Sequence, residues 1–341
     1  MSGRAGWILL SVAVLAAAAA RAATVEEFYR GRTVSVVIGY SVAGGYDRYG
    51  RVLSRHMGAH IPGNPTVVPQ NMPGAGSLRA ANYLYNAAPK DGSTFGIFTR
   101  GMAMEPLLGN AAAQFDARKF TWIGSIANEV SVCTSWHTSK VKTWADAMTT
   151  PFTVGGEGSG SDPDIFAIVL RNVFGARIRL VSGYPGTNEM ALAMQRGEID
   201  GRCGWSLTSI KAQQPQWIPE KKLNLLVQLG LTRSPELPDV PFILDEAPGE
   251  RQRQVLRLIF SRQVMGRPFA APPDIPPERA AALRRAFDDT MKDPAFLDEA
   301  ARTGLEVNPE TGTTLAALVD DLYRSPPDVV AGARAAIHGA Q

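Results

Sequence analysis

A short β-branched run, a glycine-rich turn and a segment of helical period recur in that order along the chain. This repeating unit restricts it to α/β architecture with mostly parallel sheets. The clearest copy comes first. Thr33 to Gly39 (TVSVVIG) reads as a buried strand and Tyr40 to Tyr46 (YSVAGGY) as a turn. Asp47 then opens a helix whose apolar positions Tyr49, Val52, Leu53 and Met57 share one face. Thr66 to Gln70, Asn71 to Gly76 (NMPGAG) and Ser77 to Asn86 repeat the unit, with Ser77 placed to cap the helix. A strand over Ser93 to Phe98 follows the Asp91-Gly92 turn, and the longer extended stretch over 122–135 (WIGSIANEVSVCTS) marks a first passage between two lobes.

The same recipe then resumes. Pro151 to Val154 is a strand and Gly155 to Gly160 (GGEGSG) a turn. Asp162 and Pro163 start a helix as its N-cap and first residue, and Gly175 lies past its end. Ile178 to Val181, Gly183 to Gly186 (GYPG) and a helix from Thr187 to Gly197 form the next unit. Ile199 to Trp205 is another strand, and Leu223 to Leu229 carries the chain back. The proline-rich Ala271 to Pro277 and a helix over Glu278 to Lys292 are expected on the first lobe. The expected partition is 23–128 with 229–341 in the first lobe and 129–228 in the second, the two crossings supplying a hinge.

The start of the chain reads as an export leader over residues 1–22. Arg4 gives a positive start, Trp7 to Ala20 is apolar but for Ser11, and Ala20-Arg21-Ala22 has the small-residue spacing of a cleavage site. The apolar run is short of the ~18–20 residues of a spanning helix, and no Cys follows it for lipid attachment. No later stretch is apolar enough to cross a bilayer, so a soluble mature protein is expected, and the leader makes the periplasm the expected compartment. A 45% hydrophobic and 20% charged composition is globular. Arg4 and Arg21 belong to the leader, so the formal +3 falls to +1 without them. With no Lys/Arg run either, nothing points to nucleic acid. Cys133 and Cys203 are the two cysteines; in an oxidising compartment they can pair, or they can be two buried thiols.

Four strand-to-helix turns carry the chemistry: Ser41–Asp47, Gly74–Ser77, Gly156–Ser161 and Tyr184–Thr187. Their glycines let backbone N–H groups approach a ligand. Each feeds a helix N-terminus, where free N–H groups and the helix dipole favour an anion. In open α/β sheets such turns sit at the carboxyl ends of strands, where ligands bind. Charge-assisted hydrogen bonds contribute roughly 1.5–3 kcal/mol each, so four to six hold a carboxylate without any Arg. Enzyme signatures are poor. Ser159 is flanked by Glu157 and Ser161 where a nucleophile elbow requires Gly. Gly156-Glu-Gly158-Ser-Gly160 lacks the third Gly of a dinucleotide fingerprint, and there is no P-loop. His56 and His60 are one helical turn apart, with no Glu between them and no third ligand. His137 near Ser135 reads as a loop residue, while helix capping accounts for Glu189 and Asp47. No cofactor, metal or catalysis is expected.

GYSVAGGYDRYGR over Gly39–Arg51 and PGNPTVVPQNMPGAGSLRAANYLYNAAPKDG over 62–92 closely resemble the Bug family, the TctC-like extracytoplasmic receptors of tripartite tricarboxylate transporters. The resemblance continues through GEGSGSDPDIF, VSGYPGTNEMALAMQRGEIDGR and APPDIPPERAAALRRAF, nearly the whole mature chain. It implies a type II periplasmic-binding-protein fold, two α/β lobes closing by hinge motion over an interlobe cleft. It also implies a small carboxylate ligand, held largely by backbone amides and ordered water, and transporter membrane subunits as partners. Matched residue by residue, it places ligand loops at Ser41, Ala43, Gly44, Gly45, Tyr46 and Asp47, and at Gly74, Ala75, Gly76 and Ser77. From the other lobe come Gly158, Ser159, Gly160 and Ser161, with Tyr184, Gly186 and Thr187 beside them and Trp205 and Ser206 in the pocket wall.

Two departures stand out. Relatives often have Pro before the glycine pair, where this chain has Val42-Ala43, and His after the second-lobe turn, where it has Asp162-Pro163-Asp164. Asp162 and Asp164 either point outward as caps or select a ligand with a cationic or hydroxyl end. Asp47 poses the same choice between capping its helix and receiving an amino group. In this fold the strands of Cys133 and Cys203 can be neighbours, so a disulfide between them is expected. A monomer is expected too. The competing readings are a periplasmic sensor for a two-component system and a hydrolase using Ser159 or Ser135.

Overall fold

The computed structural model describes residues 24–339. The leader reading over residues 1–22 therefore lies outside the described residues. The chain builds two sheets. The strands, in chain order, are β1 (Thr33–Ile38), β2 (Thr66–Asn71), β3 (Thr94–Ile97), β4 (Thr121–Ser125), β5 (Ser131–Trp136) and β6 (Phe152–Gly155). They continue with β7 (Ile178–Val181), β8 (Gly201–Ser206), β9 (Leu223–Leu229), β10 (Pro268–Ala271) and β11 (Glu310–Thr311). One sheet has the order β11-β4-β10-β3-β1-β2 and the other β7-β6-β8-β5-β9.

Each sheet has a parallel part made by the repeating unit and an antiparallel part where the chain crosses over. β1 runs parallel to β2 and β3, while β10 is antiparallel to β3 and β4. β6 runs parallel to β7 and β8, while β5 is antiparallel to β8 and β9. The extended stretch over 122–135 is two strands, β4 in one sheet and β5 in the other, joined by the short crossing 126–130. The return crossing lies beside it: Ile126 N–H donates to the Arg267 carbonyl at 3.3 Å and Glu129 N–H to the Gln263 carbonyl at 3.3 Å.

The first sheet's core packs Val34, Val36, Ile38, Phe95 and Ile97 against Tyr49, Val52 and Leu53 of the helix Gly45–His56. It also takes in Leu283 and Phe287 of the helix Pro277–Thr290. The second sheet's core centres on the helix Asp162–Phe174, through Phe166, Val169 and Leu170. Here the expected partition needs correcting. The helices Glu250–Phe260 and Pro327–His338 pack on this second core, through Leu256, Ile259, Ala333 and Ile337. An amphipathic pattern fixes which face a helix buries but not which lobe receives it. Cys133 of β5 and Cys203 of β8 are joined by a disulfide.

Candidate ligand-binding site between the lobes

The carboxyl ends of β1, β3, β6 and β8 open on a narrow cavity of about 20 Å3 between the lobes. The first lobe contributes the turn after β1, with Tyr40, Ser41, Gly44, Gly45 and Tyr46, and the residues after β3, Thr99 and Arg100. The second contributes Glu157 after β6, Asp162 and Pro163 at a helix start, Gly186 and Thr187 at another, and Arg202, Trp205 and Ser206 of β8. Arg267, on the return crossing, closes one wall.

The helix Gly45–His56 starts two residues earlier than the sequence suggests, because Gly44, with φ −70° and ψ 171°, is its N-cap. Gly45 therefore points its backbone into the cavity. Asp47 does not. It is buried and accepts from Ala43 N–H at 2.7 Å and Asn71 Nδ2 at 2.7 Å, and it pairs with Arg51 at 2.9 Å. With these partners Asp47 braces its own loop.

Asp164 does the same in the second lobe. Its Oδ2 accepts from the N–H groups of Glu157 at 2.6 Å and Gly158 at 2.9 Å and from Ser161 Oγ at 2.7 Å. Asp162 points neither outward nor into open space. It takes Arg100 Nε at 2.6 Å and Arg262 Nη1 at 3.4 Å, tying the lobes together. The helix begins at Asp162 with Ser161 as N-cap, one residue before the sequence assignment. Ser77 precedes its helix without capping it through its side chain: its hydroxyl donates to the Gly39 carbonyl at 3.2 Å and accepts from Thr99 N–H at 3.2 Å.

Of the residues expected at the ligand, the structure brings Ser41, Gly44, Gly45, Tyr46, Gly186, Thr187, Trp205 and Ser206 around the cavity. Gly74, Ala75, Gly76 and Ser77 lie outside its lining, as do Gly158, Ser159, Gly160 and Ser161. These two turns meet each other instead. Gly76 N–H donates to the Glu157 carbonyl at 3.1 Å, and a Cβ on Gly76 would come within 2.8 Å of Ser161. Ala43 is exposed at the rim, and Tyr184 packs against the core under β8.

The sequence reading missed the arginines. It held a carboxylate largely on backbone amides and ordered water, without any Arg, yet Arg100, Arg202 and Arg267 line the cavity, each 5% exposed or less. Glu129 lies behind it and pairs with Arg100 at 3.2 Å and Arg267 at 2.6 Å. Arg267 also lies 4.4 Å above the Tyr46 ring, which stacks on Tyr40 at 4.6 Å. Glu157 accepts from Arg202 Nη2 at 2.9 Å. Burial, opposed by Arg202 and reinforced by Asp164 and Asp162, pushes the Glu157 carboxyl up to about 7. A usable signal existed: Arg100 and Glu157 each follow the carboxyl end of a parallel strand, where side chains face a ligand.

Two sheet-based lobes, two crossings and a cavity at their junction make up the two-lobed fold of periplasmic binding proteins. Residues 51–329 match the model of the tripartite tricarboxylate transporter family receptor, TctC, and the chain belongs to that family. The curated UPF0065 protein in the gbd 5'region of Cupriavidus necator is 27% identical over 313 residues, 89% of this chain and 88% of the relative. The periplasmic binding protein BugD superposes with a TM-score of 0.71 at 19% identity, covering 90% of this chain and 98% of BugD. MatC from Rhodopseudomonas palustris, with bound malate, gives 0.69 at 21% identity over 88% and 99% of the two chains. Rpa4515 from R. palustris, with adipate, gives 0.68 at 19% over 89% and 97%.

Proposed function

We propose that this protein is a periplasmic receptor that closes on a small organic carboxylate and passes it to the membrane subunits of a tripartite tricarboxylate transporter. One observation carries the reading: the interlobe cavity is walled by three arginines against two carboxylates, Glu157 and Asp162, and by the helix starts at Gly45 and Thr187. Such a wall favours an anion. Malate and adipate in two structural relatives agree with that class of ligand. The apolar leader over residues 1–22 supports export.

A receptor fits the serines better than a hydrolase does. Ser135 donates to the Val141 carbonyl and accepts from Asn224 Nδ2 at 3.0 Å, within the second sheet. Ser159 accepts from Asn110 Nδ2 at 3.3 Å outside the cavity lining. Neither has a histidine partner among the described hydrogen bonds. A thermal-shift screen of the mature protein against organic acids tests the reading. An acid at about 100 times its Kd adds about 2.7 kcal/mol to stability, so the matching acid raises Tm by several degrees. A flat response across mono-, di- and tricarboxylates and aromatic acids contradicts it.

A further inference from the structure

We propose that Arg202 and Trp205 form a carboxylate anchor on the second lobe and decide which anions the cavity accepts. This rests on the reading of the cavity as an organic-acid site and names the residues that recognise the acid.

Successive side chains of a strand alternate between faces, so residues three apart ordinarily point opposite ways. β8 breaks the rule. Trp205 pairs with Val132 and Arg202 with Thr134, so three steps along β8 face two along β5. Gly204, at φ 70°, absorbs the extra residue, and both side chains emerge on the cavity side. The guanidinium carbon lies 5.3 Å from the indole centroid. A Cβ on Gly204 would come within 2.7 Å of the Asp162 carbonyl, so the bulge also lets a helix start abut the strand.

Both residues carry donors that no atom of the described residues accepts. Arg202 gives Nη2 to Glu157, while its Nε and Nη1 have no partner, and neither has Trp205 Nε1. Arg202 is 5% and Trp205 1% exposed, and buried N–H groups are nearly always satisfied. The other two arginines of the wall are already engaged: Arg100 holds Asp162, Glu129 and Ser131, and Arg267 holds Glu129 and Ser209. The unmet donors of Arg202 and the indole N–H suit one planar, singly charged acceptor. Glu157 and Asp162 beside them disfavour a group that concentrates two charges, such as phosphate.

Isothermal titration of wild type, Arg202→Lys and Trp205→Phe with malate, adipate, benzoate and inorganic phosphate tests this. Arg202→Lys keeps a cation for Glu157, and Trp205→Phe keeps an aromatic ring in the wall; the smaller ring at a fully buried position should lower the melting temperature by a few degrees, so binding is read well below the transition of each cooperatively folded variant. The acid that binds wild type is expected to weaken about 10-fold in Trp205→Phe, for one lost hydrogen bond, and about 100-fold in Arg202→Lys. Phosphate is expected not to bind. Undiminished acid binding in both variants overturns the anchor while leaving the receptor reading intact. Phosphate binding as tight as any acid overturns the carboxylate preference. Silence of wild type toward every acid removes both.

Discussion

Glu157 sits where burial meets two further carboxylates and a single arginine partner. Its pKa rises from 4.5 to about 7, with burial the first cause. The folded chain then holds a proton that the unfolded chain releases above 4.5. Stability from this group is therefore greatest below 4.5, falls as pH rises to about 7 and is flat beyond, a change of about 3 kcal/mol. Urea denaturation at pH 5 and pH 8 should show the slope, and Glu157→Gln should flatten it. Ionised Glu157 also adds a negative charge to the wall, so acid affinity should drop as pH passes 7. Asp47 acts on structure instead. Asp47→Ala strands the Ala43 N–H and Asn71, and should cost about 2 kcal/mol in the urea midpoint. Sequence alone left Asp47, Asp162 and Asp164 undecided because an aspartate at a helix start has the same local signature whether it meets backbone, ligand or a distant arginine. Arg100, Arg202 and Arg267 come from separate units, and only the closed fold puts them on one wall.

The strand–turn–helix units were legible because each has a local cause: β-branched runs, positive-φ glycines and apolar faces at helical spacing. Helix starts shifted by a residue or two where a glycine or serine stands at the N-cap without a side-chain capping bond, as at Gly44 and Ser161. The bulge at Gly204 left no usable trace, since one glycine in a strand pattern does not say which neighbours it realigns. The disulfide between β5 and β8 needed the family resemblance, because pairing of strands 70 residues apart has no local signal. That separation gives the bridge its leverage on the unfolded chain. Replacing Cys133 and Cys203 together by Ser should lower stability by about 4 kcal/mol, read as a shift in urea midpoint. Mass spectrometry of the folded wild type should show no free thiol.

The lobes are shut. Gly76 and Glu157 meet through backbone, Arg100 and Asp162 pair, and Ser41 Oγ donates to Glu189 Oε2 at 3.3 Å across the gap. Lobe count and crossings were readable from the order of units, but not that two of the four glycine turns would close on each other, which depends on how the lobes dock. Gly76 thus makes a backbone contact between the lobes. Gly76→Val puts a β-branched residue at φ 59° and should lower the melting temperature by several degrees; in the still-folded variant it should weaken acid binding at least 10-fold and prevent the fall in radius of gyration that acid produces in wild type, seen by small-angle scattering. Where the acid sits is the most direct test. A crystal structure of the mature protein grown with its tightest-binding acid should place a carboxylate between the Gly45 helix start and Arg202. An acid bound on an outer face, with the cavity holding none, would contradict it.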